Sequence, residues 1–217
     1  SLGKGYFVFD LDAEKAFDSC NWHQLFTKLI KDNTLPRLVI RFLINLYLKG
    51  KANTKYKGAI SNSFCLSQGV RQGSILSPYL YNIYTEGLIE EIQKLELGTK
   101  LPPNINTSII VFADDIILLS PNLYQLQRMI KECVNFGQPK GIKFNSNKNK
   151  TQFIISGNCP ISDPYLMLND ERIYPQSNLK HLGFTWSTKS KKISLLKHRQ
   201  DRISELWAIS SSLISCG

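Results

Sequence analysis

Apolar character alternates from Tyr6 to Asp12 (YFVFDLD), a period of two that predicts a strand with Phe7, Phe9 and Leu11 on one face and Val8, Asp10 and Asp12 on the other. The period becomes helical over residues 21–31 (NWHQLFTKLIK) and 36–49 (PRLVIRFLINLYLK), the second opening on a proline and ending at Gly50. Residues 52–66 read as a short β hairpin turning at Ser61-Asn62. A glycine-containing loop, SQGVRQGS at 67–74, leads to Ser77 and Pro78, read as the N-cap and first position of a single helix that stops near Gly98. SIIVFA, the turn ADD and IILLS form a second hairpin, residues 122–136 an amphipathic helix leaving at Gly137 and Gly141, and TQFIIS, ISDPYLMLN and LKHLGFTW further strands. From Ser190 onward the pattern is a basic amphipathic helix. Helices do not alternate with single strands, so a doubly wound parallel sheet is disfavoured and the fold class is α+β, an antiparallel sheet with helices on one face.

Composition narrows the partners. The chain has 217 residues, 42% of them hydrophobic, enough for one large domain or a domain with a small appendage. Lys and Arg total 27 against 17 acids, a net charge of +10 that favours polyanions, nucleic acid ahead of a membrane surface. Five scattered cysteines with no CxxC pair argue for a reduced, intracellular protein, nuclear or cytoplasmic, and against a zinc knuckle or disulfide scaffold. The three histidines are isolated, which argues against a histidine metal site or a Ser-His-Asp triad. No apolar run approaches the ~18 residues of a membrane span, and the start, SLGKGYFVFD, has no signal-peptide layout.

One stretch contradicts its own pattern. FADDIILLS at 112–120 puts Asp114 and Asp115 inside an apolar run, where each loses hydration and repels the other. Taken alone, the pair reads equally well as a polar turn. If its strands neighbour the first one, however, Asp12 joins them, and three ionised carboxylates at one sheet end need a cation between them. Oxygen-only ligands suit Mg²⁺ or Mn²⁺, and two such ions about 3.5–4 Å apart can activate a 3′ hydroxyl and stabilise departing pyrophosphate.

The surrounding wording resembles a known family. DAEKAFD at 12–18, GVRQGSILSPYLYN at 69–82 and FADD at 112–115 resemble, in order, the first three motifs of reverse transcriptases. GIKFN with NKNKT (141–151) resembles the fourth and LKHLG (179–183) the fifth, the primer grip. FADD in place of YxDD, with AEKAFD and RQG..LSP, is closest to the non-LTR (LINE-type) retrotransposons. The resemblance implies a right-hand palm that extends a DNA primer on an RNA template with dNTP and two Mg²⁺ (or Mn²⁺) ions, without a membrane. It assigns Asp12, Asp114 and Asp115 as metal ligands and Phe17 as the ring that excludes a ribose 2′ hydroxyl. Arg71, Gln72 and Gly73 would line the nucleotide, Gly73 because a residue without Cβ permits close approach. His181, Leu182 and Gly183 match the primer-grip turn. Asp10 matches no ligand and is read as lying behind the site or solvated, and Asp18 as the cap of the next helix. For the fourth-motif lysine, spacing from Gly141 and Asn145 selects Lys148, whereas the Lys-Thr pair before TQFII selects Lys150, which is preferred. Lys148 then stands with the nucleotide-binding residues.

The resemblance covers roughly residues 5–205 and implies a palm over 1–188, with the fingers largely missing and a thumb stub over 189–217. Lys189, Lys191, Lys192, Lys197, Arg199 and Arg202 would there track a duplex backbone. An alternative is a truncated or domesticated module that binds nucleic acid or protein without catalysis, against which the intact Asp12, Asp114, Asp115 and Gln72-Gly73 count. A viral RNA-dependent RNA polymerase is disfavoured by FADD where GDD is expected and by Phe17. Oligomeric state leaves no trace in the sequence.

Overall fold

The computed structural model describes residues 5–101, 105–157, 159 and 161–188. The basic segment read as a thumb helix lies outside them. In chain order the elements are β1 (Tyr6–Glu14), α1 (Ala16–Ser19), α2 (Trp22–Lys31), α3 (Arg37–Leu48), and the two-residue strands β2 (Lys51–Ala52), β3 (Lys55–Tyr56), β4 (Ala59–Ile60) and β5 (Phe64–Cys65). There follow α4 (Ser77–Thr85), α5 (Gly87–Lys94), β6 (Lys100–Leu101), β7 (Ile105–Asn106), β8 (Ile109–Phe112), β9 (Asp115–Ser120) and α6 (Leu123–Gly137). The last are β10 (Lys143–Phe144), β11 (Gln152–Ser156), β12 (Leu166–Leu168), β13 (Glu171–Ile173), β14 (Asn178–His181) and β15 (Phe184–Ser187).

β1 is the axis of an antiparallel sheet. One edge pairs with β9, which pairs with β8; the other is shared by β11 along Tyr6–Asp10 and by β10 at Ala13 and Glu14. Alternation along β1 sets the layers as the sequence predicts. Phe7, Phe9 and Leu11 join Leu25 and Leu29 of α2, Leu80 and Tyr84 of α4, Ile92 of α5 and Leu126 of α6 in the main core. Phe9, Leu11 and Leu25 are fully buried, each such side chain contributing roughly 1.5–3 kcal/mol through removal from water. Val8, on the other face, packs with Ile117, Ile154 and Leu179 under Trp186. Helices thus cover one face, and the β14–β15 hairpin covers the other. No helix of the described residues is long and apolar enough to cross a membrane.

Four local expectations are corrected. The helix after Ser77 is two, α4 and α5, meeting at Glu86: Thr85 Oγ1 donates back to the Tyr81 carbonyl at 3.1 Å, a bond that bends helices, and Gly87 follows against the Phe136 ring. Ser77 lies inside α4, its N-cap position taken by Leu76, and its hydroxyl donates to the Arg71 carbonyl. Asp18 does not cap α2; Asn21 does, accepting from the Gln24 N–H at 3.1 Å. The first hairpin turns at Lys57-Gly58, both at positive φ (46° and 86°), while Ser61 lies between β4 and β5 with its Oγ accepting from the Thr54 N–H at 2.9 Å.

Candidate active site

Register brings the acids together. Across β1 and β9 the pairing runs Phe7↔Ser120 to Asp12↔Asp115, so these two carboxylates stand on directly opposed residues, an arrangement that repulsion disfavours. Phe112 pairs with Asp115, leaving Ala113 and Asp114 as the two-residue turn of the β8–β9 hairpin. Ala113 adopts φ 55°, uncommon for a residue with a Cβ and a form of local strain that concentrates at functional sites. Asp114 thus occupies the tip and Asp115 the first strand position. Burial first, then the charge of Asp114, pushes the Asp115 carboxyl above its ordinary range.

The opposite edge of β1 explains Lys150. Between Phe144, which pairs with Ala13, and Gln152, which pairs with Asp10, the chain leaves the sheet. The excursion is pinned at both ends of Asp12, whose carbonyl accepts from the Asn145 N–H at 2.9 Å and whose N–H donates to Thr151 Oγ1 at 3.3 Å. Thr151, fully buried, in turn donates to the Asn145 carbonyl. Asn147 turns the loop, its carbonyl accepting from the N–H groups of Lys150 and Thr151. The loop therefore lays Lys150 beside the acids, its Nζ 3.7 Å from Asp12 Oδ1. Lys148 makes no such pair among the described residues; its carbonyl accepts from Gln176 Nε2 at 2.8 Å.

Asp10, one step inward on the same face, is 6% exposed and contacts Nδ1 of buried His181 at 3.2 Å. It is not solvated. Burial raises its carboxyl to about 6 despite the opposing pull of His181, and the charges of Asp115 and Asp12 push the same way as burial. His181 ends β14, and the following turn, Leu182 (φ 48°) and Gly183 (φ 80°), closes the β14–β15 hairpin. Both φ values suit glycine or asparagine, so Leu182 is a second strained turn residue at this rim, half exposed.

The loop after β5 is clamped onto α1. Gly69 donates to the Cys20 carbonyl at 2.8 Å and Val70 to that of Phe17 at 2.7 Å, while Trp22 Nε1 donates to the Gly69 carbonyl at 2.6 Å. A Cβ on Gly69 would meet the Asp18 backbone at 3.0–3.1 Å, so here glycine serves close approach. At Gly73 no protein atom lies within 4 Å of where a Cβ would stand, and φ is 80°, a value that glycine adopts without strain. Gln72 Nε2 donates to Asp18 Oδ1 at 3.1 Å, and Arg71, exposed, reaches the Leu46 carbonyl at 3.4 Å. Half-buried Phe17 stacks on Tyr81 of α4 at 5.1 Å between ring centroids, tilted 48°. Burial, and then the Asp114 charge, keeps the Tyr81 phenol protonated well above its usual range. That neutral ring links Phe17 to the acid turn.

Sequence reasoning missed Tyr81, Thr151, the Asp10–His181 contact and the Trp22–Gly69 clamp. Tyr81 and Trp22 fit helical apolar spacing and so read as core, and Thr151 differs from a solvated threonine only in three dimensions. Among the described residues no group of three His, Cys, Asp or Glu side chains is drawn together closely enough to hold a metal ion. The chemistry of the donors still fits a hard divalent cation, because opposed carboxylates with a lone ammonium beside one of them leave surplus negative charge at the rim.

The sequence model of the family described as "Reverse transcriptase (RNA-dependent DNA polymerase)" matches residues 1–186. A Pol polyprotein of the type-1 retrotransposable element R2 from Popillia japonica is 26% identical over 192 residues, 86% of this chain and 32% of that relative. The type-2 element R2DM polyprotein of Drosophila melanogaster is 30% identical over 142 residues, 65% of this chain and 13% of the relative. The chain therefore spans a third or less of the length of these relatives. Among solved structures, telomerase from Candida tropicalis in complex with the TWJ fragment of telomeric RNA superposes with a TM-score of 0.60 at 16% identity, covering 88% of this chain and 30% of that one. That likeness concerns the fold. On the family match and these relatives, the chain belongs to the reverse transcriptases, on their non-LTR retrotransposon side.

Proposed function

We propose that this chain is the palm, over residues 1–188, of an RNA-directed DNA polymerase, which joins the α-phosphate of a dNTP to the 3′ hydroxyl of a DNA primer paired with an RNA template. The observation that carries the reading is the Asp12↔Asp115 register pair beside Asp114 in its turn, with Lys150 on Asp12. Asp12, Asp114 and Asp115 are the residues to hold two Mg²⁺ (or Mn²⁺) ions, which when bound lower the barrier by activating the hydroxyl and neutralising phosphate charge. Lys150, already drawn to negative charge, is placed to receive the pyrophosphate oxygens and to supply a proton to them. The Phe17 ring, held against Tyr81, sets the depth of the sugar pocket, and Arg71, Gln72 and Gly73 form its nucleotide wall. His181, Leu182 and Gly183 support the primer end, with Asp10 fixing His181 from beneath. The opposed pair Asp12 and Asp115 costs repulsion that a module which only binds would have no reason to keep.

Primer extension on poly(rA)/oligo(dT) with Mg²⁺ or Mn²⁺ tests the reading. Wild type extends, and Asp114→Ala loses activity by ~10³-fold or more, the scale expected when charge stabilisation in the transition state is removed. Extension by both proteins, or by neither, removes the claim for this chain.

A further inference from the structure

The region between the first motif and the glycine loop is left unused by that reading. Its charge is one-sided: from Asn33 to Thr85 there is no Asp or Glu, while Arg37, Arg41, Lys49, Lys51, Lys55, Lys57 and Arg71 are all present and all exposed. At its centre the paired strands β2–β5 and β3–β4 form one two-tier hairpin. The registers, Ala52↔Phe64 and then Lys55↔Ile60, differ by one residue, so the returning strand bulges at residues 61–63. Side chains hold the bulge: Asn53 Nδ2 donates to the Ser61 carbonyl at 2.9 Å and contacts Ser63 Oγ at 3.2 Å.

Every residue from Asn53 to Cys65 is exposed. The hairpin therefore gains nothing from the core, although a two-stranded ribbon is marginal on its own in water. Its surface is not that of a solvated loop. Tyr56, Ile60 and Phe64 are 69%, 68% and 48% exposed, and the Lys57 ammonium stands 5.4 Å from the Tyr56 ring centroid. Flat rings interleaved with lysines, and no acid, suit a partner that offers anions and flat apolar faces at once. Unpaired nucleic acid does so, because its bases stack on aromatic rings while its phosphates meet the cations. A paired duplex hides its base faces and would leave the rings unused.

Position selects the strand. Phe64, Cys65 and Leu66 at the hairpin base share a cleft of about 600 Å³ with Gly69, Arg71 and Gln72. We infer that the hairpin at residues 51–65 is a grip for the unpaired template strand beside the nucleotide wall, with Tyr56 as a stacking platform and Lys55 and Lys57 as phosphate contacts. The assignment to the template rests on the function proposed above; the affinity for unpaired strand does not.

The test is fluorescence anisotropy with the full chain and two labelled primer–templates, one blunt and one carrying an unpaired template overhang of ten nucleotides. Wild type prefers the overhang substrate, and the variant Lys55→Ala/Tyr56→Ala/Lys57→Ala, with circular dichroism matching wild type, loses about tenfold on it, the scale of one stacked base with its charges, and nothing on the blunt duplex. The salt slope for the overhang substrate falls by about 1.4, which is two contacts at ~0.7 each. Equal loss on both substrates, no loss on either, or variant-sensitive binding to anionic phosphatidylserine vesicles without an overhang preference overturns the inference. Asp114→Ala should keep the preference intact. A chain that shows the preference yet extends no primer leaves the grip standing and the polymerase reading fallen.

Discussion

The two faces of β1 are made from alternate residues of one nine-residue strand, yet they answer to different demands. Phe7, Phe9, Leu11 and Ala13 are each no more than 5% exposed under the helices. Val8 is equally buried on the other face, but the sequence then places Asp10 and Asp12 where the same geometry would accept more valines. The helical face is built for stability, while the other face gives some of it up to collect charge. Comparing the two teaches how this chain keeps a costly cluster in place: one side of a strand is over-anchored so that the other side tolerates repulsion.

The sharpest way to break that contrast is on the anchored side. Phe9→Ala removes a fully buried ring that packs on Phe153 at 6.4 Å between centroids, and should cost ~3–5 kcal/mol in denaturant unfolding. Thr151→Val comes next. It leaves the Asp12 N–H and the Asn145 carbonyl without their shared hydroxyl partner, at a cost of ~1–3 kcal/mol, and primer extension should weaken with it, since the loop that carries Lys150 is released.

Acids on the opposite face should have the opposite sign. Asp10 is raised by burial from its ordinary 3.8 to about 6, so the folded state prefers its protonated form. Stability from that preference is full below pH 3.8 and is lost as pH rises through about 6. In chelator, Asp10→Asn should therefore unfold at higher denaturant than wild type at pH 7, the two curves converging below pH 4. Asp115→Asn, which relieves the opposed pair with Asp12, should gain ~0.2–1 kcal/mol under the same conditions. Adding Mg²⁺ should stabilise wild type by mass action and leave Asp12→Asn behind; an equal response of the two proteins would remove Asp12 from the ligand set.

Much of this was legible in the chain because the signals were periodic or local. The alternation at Tyr6–Asp12 fixed both faces, and FADD between apolar runs gave the hairpin that carries Asp114. What escaped was set by contacts far apart in sequence. The bend at Thr85 depends on a hydroxyl turning back to Tyr81, and the one local signal, Gly87, stands after it and also fits a helix interior. Asp18 has the right type and place for a cap, but Asn21 wins because its side chain reaches the Gln24 N–H while Asp18 is drawn to Gln72. Lys57-Gly58 was passed over for the more polar Ser61-Asn62, although the two-residue turn needs positive φ more than polarity. For Asp10 the sequence left two readings, behind the site or solvated, because nothing in it announces that residue 181 will arrive over that carboxylate.

The smallest stability effect is the most telling one. Lys150 is largely exposed and its pair with Asp12 is long, at 3.7 Å, so Lys150→Met should shift unfolding by no more than ~0.5 kcal/mol. If the lysine were there for the fold, that would be its whole consequence. Extension should instead fall by ~10²–10⁴-fold, the range for a positioned proton donor, with the loss in kcat rather than in nucleotide KM. Lys148→Met, two residues away on the same loop and without an acid partner among the described residues, serves as the control and should keep both stability and kcat within about twofold. Were the two variants to exchange behaviours, the fourth motif would align on Lys148, and the ion pair at Asp12 would be a surface contact only. A loss confined to Lys150 places the division between the two faces of β1 at the level of single side chains, with those that hold the fold lying beneath Phe9 and those that serve the chemistry lying above Asp12.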